Sequence, residues 1–234
     1  MQTATSPAAA LHDEDHALLA GLRQGQARAF EQMMRRYNRL LYRAARGIVH
    51  DDAEAQDAVQ EAWLHAFTGL HAFRGDASLG TWLTRIVINQ ALVQQRRLGR
   101  LVLWNEDVDS WESDMDKQPL GGDAMESPED HVARLQVRRQ LERAIDTLPP
   151  IYRSVFILRA VHGLSVEDTA HGLDVSAEVV KTRFLRARAQ LRALLGFDPE
   201  TEAAYLHDFA GQRCSDLVAR VLRELRARGV LRDQ

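Results

Sequence analysis

Residues 164–192 read LSVEDTAHGLDVSAEVVKTRFLRARAQLR. Ser165, with Asp168 three residues on, has the form of a capping box that opens a short helix. Gly172 closes that helix, and Leu173, Asp174 and Val175 make a turn. Ser176 then caps a longer helix, with Glu178 in its first turn where the macrodipole favours an acid. Val180, Phe184, Leu191 and Leu194 recur at helical spacing and are expected to face a core. Lys181, Arg183, Arg186, Arg188 and Arg192 crowd the same helix. A capped short helix, a glycine turn and a capped basic helix in this order form the pattern of a helix-turn-helix, whose second helix enters the DNA major groove. Ser176, Glu178, Val179, Lys181, Thr182, Arg183 and Arg186 are the candidates for DNA contact. Arginine can grip guanine bidentately, whereas lysine supplies a point charge to phosphate and makes binding salt-dependent. Basic residues can also do no more than solvate an exposed helix; the two caps and the turn at the right spacing weigh against that.

The basic helix belongs to a chain with a formal net charge of -3 over 234 residues. The acidity is concentrated. Residues 99–130 carry ten acids against two basic side chains, and residues 131–195 carry eleven basic side chains against six acids. The acidic stretch, with Gly-Gly, Pro and Ser, has the composition of a linker that cannot bury enough to fold alone. Its 32 residues reach roughly 105–115 Å extended and average about 30 Å as a coil.

Upstream, residues 16–48 read as one amphipathic helix with Leu18, Leu19, Leu22, Phe30, Met33, Met34 and Leu41 near a 3.6-residue period. Asp51 and Asp52 punctuate, and a second helix runs to Thr68 with Ala58, Ala62 and Phe67 inward. Residues 73–78 form a turn-rich break before a third helix, Leu79–Leu98. Helical signal returns over His131–Thr147 and 151–161. No segment alternates with period two, so the fold is expected to be all-α, as two helical domains. These are 15–98 and 131–195, joined by the 99–130 linker and followed by an extension, 196–234.

No apolar run is long enough to span a membrane. The N-terminus has no signal-peptide pattern. The single cysteine, Cys214, fits a reducing cytoplasm. No phosphate-binding glycine loop, nucleophile motif or clustered metal-ligand spacing is present, so neither catalysis nor a cofactor or metal is expected.

The stretches DAVQEAWLHAF (57–67), FRGDASLGTWLTRIVINQALVQQRR (73–97), LERAIDTLPPIYRSVFILRAVHGLS (141–165) and VVKTRFLRARAQLR (179–192) stand in one order. Together they resemble the extracytoplasmic-function RNA polymerase sigma factors, over about residues 15–195. The resemblance implies a first domain that uses Asp57, Gln60 and Glu61 to dock on the polymerase clamp helices. It implies that Phe73, Arg74, Ser78, Thr81 and Trp82 hold unstacked bases of the -10 element, with Asn89, Arg96 and Arg97 adding polar and phosphate contacts. The helix-turn-helix would read the -35 element and meet the polymerase flap. The implied partners are core RNA polymerase, promoter DNA, and an anti-sigma factor or other regulator, with no membrane insertion. Two positions depart from the pattern: Gln56 where an acid is common, and Val93 where Asp is usual. The alternative is a helix-turn-helix regulator that binds duplex DNA without a sigma role, which would have no use for the 57–97 block.

The extension holds one further helix. Ser215 can cap it, Leu217, Val218, Val221, Leu222 and Leu225 form a stripe, and Gly229 ends it. The stripe is expected to pack on the second domain, with a regulatory tail as the sharper alternative. His207 and Cys214 are two candidate metal ligands, too few for a site by themselves.

Overall fold

The computed structural model describes residues 15, 17–75, 78–99, 128–200, 203, 206, 207 and 209–231, with the side chains of 128–200 described from residue 136. Every regular element among them is helical. The first domain comprises α1 (17–23), α2 (Ala27–Ile48), α3 (Asp52–Thr68) and α4 (Leu79–Arg97). The second comprises α5 (Pro128–Thr147), α6 (Pro150–Phe156), α7 (Val166–Leu173) and α8 (Ala177–Leu195), and the extension contributes α9 (Gly211–Ala227). The 100–127 part of the expected linker lies outside the described residues. Of the rest of that linker, 128–130 already belong to α5, which starts three residues before His131.

The single helix expected over 16–48 is two. Gly25 takes a left-handed φ of 74° and turns the chain between α1 and α2, a conformation that costs glycine least. Asp51 caps α3, its carboxylate accepting from the N–H groups of Ala53 and Glu54. Ser78 caps α4 by accepting from the Thr81 N–H at 3.1 Å. Inward residues of α2, α3 and α4 meet in one core: Phe30 tilts onto Phe67, Phe67 stacks on Trp63, and Leu83, Val87 and Ile88 close it from α4. Inside this core the Trp63 indole N–H donates to Asn38 at 2.7 Å, so the one polar atom of the buried ring is satisfied.

In the second domain Pro150 opens α6, where its missing N–H has no intrahelical partner to lose. The following stretch, Ile157–Val161, is wound as a π-helix. α7 and α8 then form the helix-turn-helix. The turn itself is made by Asp174, at φ 55°. Gly172, expected to end α7, lies inside it and is buried. A Cβ there would come within 3.2 Å of the Ile88 side chain of α4, so this glycine answers a close helix approach and not a turn.

That approach is one of several between the domains. Val155, Leu158, Ala170, Leu173 and Val180 of the second domain join the core of the first. Arg46 pairs with Asp146 at 3.1 Å and Arg85 with Asp168 at 3.3 Å across the same boundary. Gly47 lets α2 lie against the end of α6 and the π-helical stretch after it, where a Cβ would meet Ile157 at 3.2 Å. Leu141, Ile145, Leu148, Phe156, Ile157, Ala187 and Leu191 make a second core.

The apolar stripe of α9 is buried as its spacing predicts, but against α2 and α3 of the first domain and not against the second. Ser215, expected as its cap, is inside the helix, which starts at Gly211.

Candidate nucleic-acid interface

On α8 the buried stripe is Val180, Arg183, Ala187 and Leu191. Leu194, expected in the core, is exposed, and Ala187 takes the inward place. The stripe is therefore rotated from the expected one, and Arg183 falls on its inner side, only 4% exposed. Burial lowers the affinity of its guanidinium for its proton, partly offset by the neighbouring Tyr152. Lys181 and Glu178 lie outside and pair at 2.9 Å, which holds the ammonium above its ordinary pKa. Ser176 is exposed and caps the helix through the Val179 N–H at 3.3 Å. Val179, Thr182 and Arg186 are half-buried, with Arg186 donating to the Tyr152 hydroxyl at 3.4 Å. Ahead of this helix, Ser165 accepts from the Asp168 N–H and donates to its carboxylate, both at 2.9 Å.

The basic helix is thus largely matched within the chain. Arg188 pairs with Asp198 at 3.5 Å and also with Glu200, while Arg192 pairs with Asp198. Both acids belong to the extension, and no sequence signal pointed to them as partners of α8.

Some distance along the chain, α3 and α4 present two further groups. Asp57, Gln60 and Glu61 are one turn of α3 apart on one face, with the two acids exposed. Gln56 is turned away from that row and accepts from Arg220 of α9 at 3.4 Å. At the entry to α4, Phe73 and Trp82 pack at 5.2 Å between centroids with a 54° tilt, each half-buried against the core. Arg74 and Ser78 are exposed beside them, and the Ser78 and Thr81 hydroxyls are 2.9 Å apart. Asn89, Arg96 and Arg97 are exposed along the same helix, and Val93 is half-buried. An aromatic pair beside hydroxyl and guanidinium groups can stack a base and hold a phosphate.

The sequence matches two family descriptions in the order of these two domains: Sigma-70 region 2 over residues 33–101 and Sigma-70, region 4 over residues 138–191. It is 35% identical to the ECF RNA polymerase sigma factor SigM of Mycobacterium tuberculosis, over 80% of this chain and 87% of that protein. The chain belongs to the extracytoplasmic-function sigma factors. The ECF RNA polymerase sigma-E factor of Escherichia coli K12 is 31% identical, over 74% of this chain and 90% of that protein. Among solved structures, CnrH in complex with the cytosolic domain of CnrY matches with a TM-score of 0.51 and 28% identity, over 78% of this chain and 97% of that one. The sigma factor RpoE in complex with the anti-sigma factor NepR from Bartonella quintana shares the fold, with a TM-score of 0.50 and 22% identity, over 80% and 98% of the two chains. In this sigma factor His207 and Cys214 are not neighbours in a metal cluster: no group of three or more possible ligands occurs among the described residues. Instead the Cys214 thiol accepts from Asn38 at 3.2 Å in the interface between α9 and α2. No helix among the described residues is long and apolar enough to cross a membrane.

Proposed function

We propose that this sigma factor directs core RNA polymerase to promoters through three surfaces. The α3 row Asp57, Gln60 and Glu61 docks on the clamp helices of the polymerase. The group Phe73, Arg74, Ser78, Thr81 and Trp82, with Asn89, Arg96 and Arg97, holds the melted -10 strand. The outer face of α8, through Ser176, Glu178, Val179, Lys181, Thr182 and Arg186, reads the -35 element. Arg183 joins that face only by leaving its burial. The observation that carries the reading is the pairing of a single-strand platform at the start of α4 with a helix-turn-helix in the other domain. A regulator confined to duplex DNA would need only the second. Strand separation and nucleotide addition then belong to the assembled polymerase, with this chain contributing no catalytic group. Two similar solved chains are in complexes, one with the cytosolic domain of CnrY and one with the anti-sigma factor NepR, and an anti-sigma factor or other regulator is the partner expected for the free sigma.

Purified chain added to core polymerase on a genome-derived template library should yield promoter-specific transcripts. A chain that binds duplex DNA alone and leaves the polymerase unspecific would return the reading to an ordinary regulator.

A further inference from the structure

Leu206 and Phe209 are three residues apart in sequence and lie in different cores. Leu206, with Ala203, is enclosed among Leu141, Ile145, Ala187 and Leu191 of the second domain. Phe209 stacks on Tyr42 of α2, centroids 4.4 Å apart at 24°. Arg213 lies over both rings and donates to the Tyr42 hydroxyl at 2.8 Å and to Asp52 at 3.0 Å. On the other side of the crossing, Asp198 and Glu200 hold Arg188 and Arg192 of α8. The His207 N–H donates to Glu142 of α5 at 2.9 Å.

Three residues span at most about 11 Å. While Leu206 and Phe209 are both seated, the two domains are pinned together at that point. Two DNA elements one to two helical turns apart lie roughly 35–70 Å from each other. A chain that parts its domains to span such a separation gives up one of the two seats.

We infer that Asp198, Glu200, Ala203, Leu206 and His207 form a releasable clasp on the second domain, which adds to the direct contacts of that domain with α2 and α4 in holding the free sigma closed and lets go when the chain spans a promoter on the polymerase. This rests on the sigma reading above. The release falls at this end because the other anchor is larger. α9 buries Leu217, Val218, Val221, Leu222 and Leu225 in addition to Phe209, whereas the clasp buries Ala203 and Leu206, and apolar stabilisation follows the area removed from water. Once free, the chain between Leu195 and Gly211 reaches about 50 Å, so when the direct contacts with α2 and α4 part as well the second domain departs while α9 stays on the first. Release also uncovers Arg188 and Arg192, whose carboxylate partners give way to any phosphate within reach. Opening and DNA binding then favour each other.

Hydrogen exchange of the full chain reads the clasp directly. The amides of Ala203, Leu206 and His207 donate to Glu200, Ala203 and Glu142, and are expected to be protected in the free protein. In a promoter complex with core polymerase they should exchange freely while α9 stays protected. Protection kept at these three amides in a complex that makes promoter-specific transcript overturns the clasp. A second arm needs no polymerase. The double variant Asp198→Asn/Glu200→Gln, and separately Leu206→Ser, should raise the radius of gyration of the free chain by small-angle scattering. Core polymerase should then bind either variant about tenfold more tightly, because less of it is held in the incompetent closed form. Unchanged dimensions in both variants, with helicity intact, also overturn it. Expansion of the variants without any promoter-specific transcript from the wild type would instead overturn the sigma reading and leave the clasp standing.

Discussion

The Arg153 guanidinium, carried by α6 of the second domain, donates to the Ile48 carbonyl at the end of α2 in the first, at 2.9 Å. It also donates to the Gly47 carbonyl at 3.3 Å and lies against His50. The side chain is wholly buried, and burial pushes its pKa down to about 10 despite Asp146. The last turn of α2 leaves carbonyls without intrahelical partners, and Arg153 supplies two of them from across the domain boundary. Removing it strands buried acceptors, so Arg153→Ala should cost about 3–5 kcal/mol. Arg153→Lys, a point donor without the fork, should fall between. Denaturant titration should show one transition for the wild type and two for Arg153→Ala, as the domains lose their coupling. A single wild-type transition in the variant would show that this contact does not join them.

His207 provides a pH signature. Burial first, and then the cations of Arg46, Arg43 and Arg138 against the opposing Asp52, push its pKa down to about 3. Its unfolded value is near 6.5. The folded chain therefore holds fewer protons than the unfolded chain between these values. The stabilisation is complete above about pH 7 and is lost as pH falls from 6.5 toward 3, at about 1.4 kcal/mol per pH unit. His162, with shielded ring nitrogens beside Arg43, is also held down to about 3 by burial and adds a slope of the same sign. His207 has a φ of 46°, which Asn tolerates. His207→Asn should remove about half of the loss in stability between pH 7 and pH 5. The check is denaturant unfolding at each pH; a variant with the wild-type slope would move the titrating group elsewhere.

Within α8 the structure separates two kinds of basic residue. Lys181→Ala should weaken upstream-element binding about evenly across sequences and reduce the salt slope by about 1, as loss of a phosphate contact does. Arg183→Ala should instead lower stability, by about 1–3 kcal/mol, because its guanidinium is packed near Tyr152 inside the domain. Salt-dependent DNA titrations alongside thermal melting distinguish them. An Arg183→Ala protein of wild-type stability that loses preference at one base pair would put Arg183 at the DNA.

Periodicity made much of this legible. The stripes of α3 and α9 are in the places their spacing predicts, and the caps at Ser165 and Ser176 hold their expected helices. On α8 the same reasoning rotates the stripe, because it places Arg183 outside as polar and Leu194 inside as apolar. A guanidinium can be enclosed beside an aromatic hydroxyl, and a leucine in a helix's last turn can be left in water. For α9 the spacing predicts the buried face correctly but not its partner, expected on the second domain and found on the first. A stripe records that something is covered; what covers it depends on the surface offered, here Tyr42, Asp52, Gln56 and Asn38. Gly172 reads as a helix end because glycine has two uses in a helix pair, a left-handed φ and a missing Cβ, and sequence does not distinguish them.

At the entry to α4 the cap decides which variant tests strand binding. Both Arg74 and Ser78 are exposed, yet Ser78 accepts from the Thr81 N–H, so Ser78→Ala removes a cap worth about 1 kcal/mol as well as a hydroxyl. Ser78→Asp keeps the cap and places a negative charge where the proposed strand runs. Arg74→Ala removes a cation without touching the cap. Trp82→Ala is less informative, because the ring packs on Phe73 and the core. A base stacks on such a platform only after leaving the duplex. Arg74→Ala should therefore bind core polymerase as the wild type does and form open complexes more slowly on duplex promoters. Ser78→Asp should do the same with unchanged thermal stability and a larger defect at low salt, where its charge is least screened. A promoter with a pre-melted bubble should relieve the defect if it lies in opening and leave it unchanged if it lies in holding the strand. Wild-type open-complex rates and single-strand affinity in both variants would remove this turn from the -10 site.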